Sequence, residues 1–408
     1  MKNIAPATSS ANGGTGRSFI TFLIFIAILG AFSSLVNDMY LPTIPKMVKE
    51  FHTTPSMTQM GLSMAMLGLG IGSVMWGSLS DRYGRKPILI ISLILFVVAT
   101  GVSLLSESIW FFISCRLVQG IGAGGGMVLS YSIPADRYEG RQLAKVMALV
   151  GAINGIAPAG SPLIGGFLAD SVGWRGIFVV LLVIGIGMLF WSMRTPESLP
   201  QSKRMTGKGL KEYVTAYMTL FRDRRFMIYV LLKAIGIGLL YAYISSATFI
   251  YQEHYGFSSM QFGMIFGANA LAIAVGSTLV MKFRVLKTGL VAGSVLMSLF
   301  ALGEAAVMYF ALPFVWYEIM VVPMLVGCGM LFSSANSLGM EEGKSDAGTA
   351  GAILNVVKYI FAAVVAPLVG LGNMLHSSAI CFIAVAAIAL LLTIPAYRLK
   401  PLAEMMKS

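Results

Sequence analysis

The sequence predicts an all-α membrane protein in which twelve transmembrane helices form two pseudo-symmetric six-helix bundles. Three observations carry that expectation. Of the 408 residues, 57% are hydrophobic and only 11% are charged, whereas soluble domains are about a quarter charged. The apolar residues fall in long runs; a spanning helix needs about 20 of them, so twelve spans use roughly 240 residues and leave short loops with one longer connection. Part of the first half also recurs in the second. Gly77-Ser78 returns about two hundred residues later as Gly276-Ser277, and Arg85 then falls opposite Arg284, with Val280 where the first copy has Asp81. Related halves of this kind enclose a site at their interface.

In chain order, residues 1–18 form a polar head rich in Gly and Ser, expected to be disordered. It lacks the short apolar core and cleavage site of a secretory leader, so the first span is expected to act as the insertion signal. An N-terminal bundle over 19–193 follows, with spans near Phe19–Pro45, Ser56–Trp76, Ile88–Leu105, Ile109–Ile133, Leu143–Leu168 and Trp174–Met193. Residues 194–225 are polar and basic and form the linker. Within it Leu210, Tyr213, Val214, Tyr217, Leu220 and Phe221 repeat at helical spacing, the pattern of an amphipathic helix lying on a membrane face. The C-terminal bundle over 226–397 contains spans near Phe226–Tyr251, Ser258–Met281, Leu290–Leu312, Phe314–Met340, Gly348–Leu371 and Ser378–Tyr397, and residues 398–408 form a tail.

The net charge of +12 raises the question of nucleic acid, but the basic residues lie in loops between spans rather than on one soluble face. They fix orientation instead. Of the 29 Lys and Arg, 23 fall in the head, the even-to-odd loops, the linker and the tail. Only Lys46, Lys49 and Arg175 lie on the other side, and Arg116, Lys233 and Lys358 lie inside spans. By the positive-inside rule both termini are cytoplasmic.

The most informative stretch is Gly77 to Pro87, GSLSDRYGRKP, a charged hairpin between spans 2 and 3. Gly77 allows close helix approach, Asp81 is placed to accept from a helix N-terminus, Gly84 is suited to a positive φ, and Arg82, Arg85 and Lys86 are expected to stay in water. These residues resemble the signature loop of the major facilitator superfamily, G-x-L-x-D-R-x-G-R-K-P. The resemblance implies that Gly77, Asp81, Arg82, Gly84, Arg85 and Lys86 act as a conformational latch, Asp81 holding the loop to a neighbouring helix terminus in one state.

An ionisable residue inside a span costs about 2.5–3.5 kcal/mol on insertion scales and is a functional candidate by default. Asp38 lies about 19 residues into span 1, roughly 28 Å along it at 1.5 Å per residue. Arg116 lies near the same end of span 4, and the two are expected to pair or to compete for a proton. Their surroundings extend the resemblance. Arg116-Leu117-Val118-Gln119-Gly120-Ile121-Gly122 is similar to the R-x-x-Q-G-x-G pattern of proton-coupled members. Asn37-Asp38-Met39-Tyr40-Leu41-Pro42 looks like span 1 of drug/proton antiporters of the bicyclomycin-resistance type. Residues Ile28 to Leu35 carry none of the second acid that some multidrug relatives have there.

Span 5 contains GAINGIAPAGSPLIGG, whose small residues permit close contact and whose prolines bend a helix. Gly155, Pro158, Ser161, Pro162, Gly165 and Gly166 resemble the antiporter signature, with Ser161 where glycine is usual. A different pattern, Gly120, Gly122 and Gly125, satisfies G-x-G-x-x-G, the fingerprint of dinucleotide folds. That chemistry needs a strand before the glycines and a helix start after them; in mid-span the glycines are read as packing.

In the second half Lys233, Glu304 and Lys358 are the ionisable residues within spans. Lys358, near mid-membrane, is expected to face the cavity or to pair with Glu304. Lys233 is expected to snorkel to the near surface, and Glu318, at the edge of span 10, to be wet. The substrate cavity is expected to draw on Asn37, Tyr40, Gln119, Asn154, Tyr241, Asn269, Asn336, Asn355 and Lys358, because amides within spans line water or ligand. The 27 methionines supply adaptable apolar lining. Cys115, Cys328 and Cys381 lie in apolar runs without disulfide or metal spacing, and His52, His254 and His376 fall in outer loops, so no metal site is expected.

The resemblance implies a proton-coupled multidrug efflux antiporter that exports small lipophilic compounds by alternating access. It would draw on the proton gradient with no cofactor and work in the cytoplasmic (inner) membrane, usually as a monomer. Its partners are a drug-like small molecule, protons and the lipid bilayer, and no nucleic acid. The alternative is a proton-coupled importer or facilitator of a small nutrient. An enzyme is not expected, since no nucleophile–base set or sizeable soluble domain is present.

Overall fold

The computed structural model describes residues 16–204 and 210–399, and these are helical with no strand among them. The helices are α1 Gly16–Asp38, α2 Ile44–Glu50, α3 Pro55–Tyr83, α4 Arg85–Ser103, α5 Ile109–Arg137, α6 Gly140–Ala169 and α7 Gly173–Arg194 in the first half. Then come α8 Leu210–Arg222 in the linker and α9 Arg224–Phe249, α10 Ser259–Leu279, α11 Leu286–Tyr309, α12 Phe314–Glu342, α13 Ala347–Leu368 and α14 Met374–Arg398. Twelve segments are long and apolar enough to cross a membrane, α1 and α2 together forming the first. Most of the head expected to be disordered lies outside the described residues, as do residues 205–209 and 400–408; its last three residues, 16–18, already belong to α1.

Local chemistry sets the helix starts. Thr54 accepts from the Met57 amide at 3.3 Å with Pro55 in the first turn, and Ser258 forms a capping box with Gln261. Asp223 and Asn373 cap α9 and α14 in the same way. Span 1, expected as one run, is broken after Asp38. A 3₁₀ turn over Leu41–Thr43 takes its place, because Pro42 and Pro45 each remove an amide donor and restrict the residue before them.

The outer faces of α4 and α14 expose Ile91, Ile94 and Val98, and Ile380, Ile383 and Leu391. Apolar stripes of that extent belong against lipid. The two halves meet along α3 with α13 and along α6 with α10. At the second seam a Cβ on Gly263 would sit 2.6 Å from the Pro162 carbonyl oxygen, so only glycine allows this approach. The G-x-G-x-x-G glycines are likewise packing positions, a Cβ on Gly122 falling 2.5 Å from the Phe96 amide nitrogen.

Helix α8 forms where the linker's periodicity places it, but Leu220 and Tyr217 do not simply face lipid. Leu220 is buried with Phe226, Val230, Ile353 and Leu354, and Tyr217 packs against the same cluster, tucking α8 beneath α9 and α13, while Phe221 and Met218 stay exposed.

Candidate functional site

A cavity of about 690 Å³ lies between the halves. Ser33 and Ser34 of α1, Ser73, Gly77 and Asp81 of α3, and Met127 and Tyr131 of α5 form one wall. Tyr217 of α8 and Asp346, Asn355, Lys358 and Tyr359 of the α13 segment form the other. Asp81 and Asp346 are at helix ends on the side that carries the α3–α4 loop and the linker, so the cavity reaches that basic face between them.

The opposite face is sealed by contacts between halves. Gln59 Nε2 donates to the Ser245 carbonyl at 2.8 Å, Ser56 Oγ to the Pro367 carbonyl at 2.9 Å and Gln252 Nε2 to the Pro42 carbonyl at 3.1 Å. Within the first half Lys46 Nζ meets Asp170 Oδ1 at 2.6 Å, and from the second half Ser259 Oγ donates to the same oxygen at 3.0 Å. The Lys46 hydrogen bond, helped by Ser259, holds the Asp170 carboxyl below its usual value. The signature helix contributes to this seal. A Cβ on Gly165 would overlap the Met39 carbonyl and one on Gly166 the Ser259 carbonyl, and Ser161 Oγ folds back onto the Ala157 carbonyl at 2.8 Å. The helix runs unbroken through Pro158 and Pro162, and Gly155 faces open space.

Deep in the first half, Arg116 is fully buried, as are Tyr40 and Gln119. The expected ion pair with Asp38 is absent. Arg116 donates to Gln119 Oε1 at 2.5 Å, to Asn37 Oδ1 at 3.4 Å, and to the carbonyls of Val36 at 3.1 Å and Gly61 at 3.4 Å. Its guanidinium lies 4.5 Å from the centre of the Tyr40 ring. Gln119 is oriented in turn by donating to Thr100 Oγ1 at 2.8 Å. Helix α1 ends at Asp38, which leaves its last carbonyls without intrahelical partners, and a cation at such a terminus is favourable. Asp38 is buried, its Oδ1 has no hydrogen-bond partner, and it faces Ser34 with Arg116 in electrostatic reach. Ser34 is in the cavity wall, so Asp38 stands one turn behind that wall.

The expected cavity set therefore divides. Asn355 and Lys358 line the cavity, with Gly77 and Asp81. Asn37, Tyr40 and Gln119 do not, being consumed by Arg116. Tyr241 is half-buried on α9, in electrostatic reach of Asp38 and Tyr359. Asn269 donates to Glu318 Oε1 at 2.8 Å and to the hydroxyls of Tyr243 and Tyr251 at 3.0 and 3.2 Å, away from the cavity. Glu318 is thus not simply wet but half-buried, accepting also from Tyr251. Asn336 accepts from Lys233 Nζ at 2.7 Å, which keeps Lys233 buried instead of snorkelling. Glu304 is fully buried against Tyr317 and does not pair with Lys358. The Asn154 side chain lies outside the described residues.

The signature loop also differs from expectation. Gly84 takes φ 104°, as expected, and ends α3. Arg85 does not stay in water: it is 8% exposed, with Asp81 at 2.6 Å and Asp136 at 2.8 Å. Asp81 therefore pairs with its own loop and not with a helix terminus. The carboxylate on the α4 N-terminus is Glu197, which accepts from the Arg85 and Lys86 amides at 2.9 and 3.2 Å. It had no signal in the sequence beyond being a lone acid just after span 6. Arg82 and Lys86 are on the outer side of this cluster.

Residues 26–367 match the profile of the Major Facilitator Superfamily. The uncharacterised MFS-type transporter YdgK of Bacillus subtilis is 32% identical, covering 88% of this chain and 90% of that one. Multidrug resistance protein D of Escherichia coli is 29% identical over 86% and 88%, and the bicyclomycin resistance protein homolog of Haemophilus influenzae 26% over 86% and 89%. Among solved structures, an inward-facing, unoccupied bacterial homolog of the human lysosomal transporter Spinster superposes with a TM-score of 0.77 at 16% identity, covering 94% of this chain and 98% of that one.

Proposed function

Because this chain belongs to the major facilitator superfamily, within its drug-resistance relatives, we propose that it is a proton-coupled antiporter exporting small lipophilic compounds by alternating access. The observation that carries the reading is Asp38, a buried carboxylate without an ion-pair partner, one turn behind the wall of a cavity open at one face only.

The basic face is cytoplasmic on this reading, by the positive-inside rule, so the chain is in its inward-open state and a compound enters from the cytoplasm or inner leaflet. Gaining or losing a proton changes the charge at Asp38 and hence the attraction to Arg116, which is bonded to the end of α1 and to α3 and α5. Substrate and proton then bias one two-state element in opposite directions, and neither is carried across without exchange for the other. The loop cluster of Gly77, Asp81, Arg82, Gly84, Arg85 and Lys86 steadies the open cytoplasmic end, with Glu197 and Asp136 as its further anchors. The relatives named for multidrug and bicyclomycin resistance support export in preference to nutrient uptake. The protein is read as a monomer of the inner membrane with both termini cytoplasmic, driven by the proton gradient and needing no cofactor.

The test is proton release from acid-loaded everted vesicles as lipophilic antimicrobials are added outside. Antiport predicts substrate-triggered alkalinisation of the lumen. A lumen that stays acidic with every compound, from vesicles shown to contain folded protein, would sink the reading.

A further inference from the structure

The charges lining the cavity are not balanced. Its two carboxylates are already committed: Asp81 accepts from Arg85 Nη1 at 2.6 Å, and Asp346 Oδ1 accepts from the Thr349 amide at 3.2 Å as the cap of α13. Lys358 is not. Among the described residues no carboxylate lies within ion-pair distance of it, and its recorded contact is with the ring of Tyr359, 4.7 Å from ammonium to centroid. Lys233 on α9, behind the wall and held by the neutral Asn336, lies in electrostatic range of Lys358 and adds to the positive field there, while Asp346 at the mouth of the same wall is outside ion-pair distance of Lys358. Beside it the Tyr359 ring reaches across the cavity to Met127 of the opposite wall, the Tyr359 hydroxyl donating to the Met127 sulfur at 3.2 Å.

We propose that the cavity selects amphipathic organic anions, with Lys358 as counter-ion to the acidic head and the Met127–Tyr359 side receiving the apolar body. The inference rests on the reading of this cavity as the substrate route. An ammonium in a poorly hydrated site attracts a carboxylate, phenolate or sulfonate far more strongly than in water, and repels a quaternary ammonium equally. A volume of about 690 Å³ accommodates a drug-sized molecule of this kind. Export of a monovalent anion against one entering proton also moves two charges per cycle in the same electrical sense, so the membrane potential adds to the pH gradient as a driving force.

The experiment uses the purified full-length protein and three probes on one scaffold: a naphthalene sulfonate, the matching neutral sulfonamide and a naphthyl trimethylammonium. Equilibrium binding is read by fluorescence titration without any gradient, so its result does not depend on proton coupling. The expected outcome is sulfonate binding at least about tenfold tighter than trimethylammonium binding. The sulfonate-to-sulfonamide ratio then falls about tenfold in Lys358→Gln and is restored in Lys358→Arg. Preference for the cation, a ratio unchanged in Lys358→Gln, or no binding of the sulfonate overturns the proposal. If proton release is triggered by other compounds while the sulfonate does not bind, antiport stands and the anion selectivity falls; if the sulfonate binds selectively and no compound releases protons, the reverse holds.

Discussion

Asp38 and Arg116 are neighbours without being an ion pair. The guanidinium is committed to Asn37, Gln119, two carbonyls and the Tyr40 ring, while Asp38 Oδ1 is left without a partner. A static salt bridge would lock both residues in one protonation state. The arrangement found keeps Arg116 fixed and leaves the carboxylate without a paired cation, which is what the proposed proton exchange requires.

Gln119 supports Arg116 and does not touch the cavity, so Gln119→Leu is expected to damage stability before selectivity. It removes one buried hydrogen bond to a charged group and one to Thr100, a loss of about 2–3 kcal/mol. Thermal unfolding in detergent checks this; an unchanged Tm would contradict it.

At the basic face, Arg85→Gln leaves the Asp81 and Asp136 carboxylates without their shared cation and is expected to cost about 1–3 kcal/mol. Glu197→Gln keeps one acceptor oxygen for the α4 N-terminus and loses the other, with the charge and its 3.8 Å contact to Arg204, about 0.5–1.5 kcal/mol. The Tm of Arg85→Gln should therefore lie below that of Glu197→Gln. The latch itself is tested by Asp81→Asn, for which slower transport is expected; wild-type transport rates would remove Asp81 from the account.

The α6–α10 seam tolerates no side chain at Gly263. Gly263→Val should pry the closed face apart and raise the reactivity of a cysteine introduced by Ser245→Cys, which is buried behind the Gln59 contact. Labelling rates in the two backgrounds decide it, and equal rates would show that the seam does not control access.

The Lys46–Asp170–Ser259 contact gives that face a defined pH response. Lys46, the main cause of the lowered Asp170 value, is in the same half, so it is the Ser259 share that stabilises the closed arrangement fully above the ordinary carboxylate range and is lost as pH falls through the depressed value. Closure should thus be indifferent to pH from about 8 down to about 5, and Asp170→Asn should loosen it throughout. A wild-type labelling rate that climbs already between those pH values would contradict this assignment.

Much of the architecture was legible in the sequence, because apolar run length and Gly84's place between charged residues constrain the chain locally. The site was legible only in part. A polar residue in a span announces that it needs a partner, not whether that partner is water. Asn355 and Lys358 reached the cavity, but Tyr40, Gln119 and Asn269 found partners inside one half, and Asn336 was taken by Lys233. Arg85 looked like a loop cation because Asp136 and Glu197, its anchors, are far from it in sequence. Ser34 and Tyr359, ordinary span residues, became cavity wall through the pairing of distant helices.

Whether Asp38 carries the coupling proton is decided by comparing driven and passive transport in proteoliposomes of wild type and Asp38→Asn. Asp38→Asn is expected to lose accumulation driven by a pH gradient and to keep gradient-free counterflow of the same compound. Accumulation that persists in Asp38→Asn at the wild-type rate would contradict it and move the proton to another buried carboxylate, with Glu304 the first to examine.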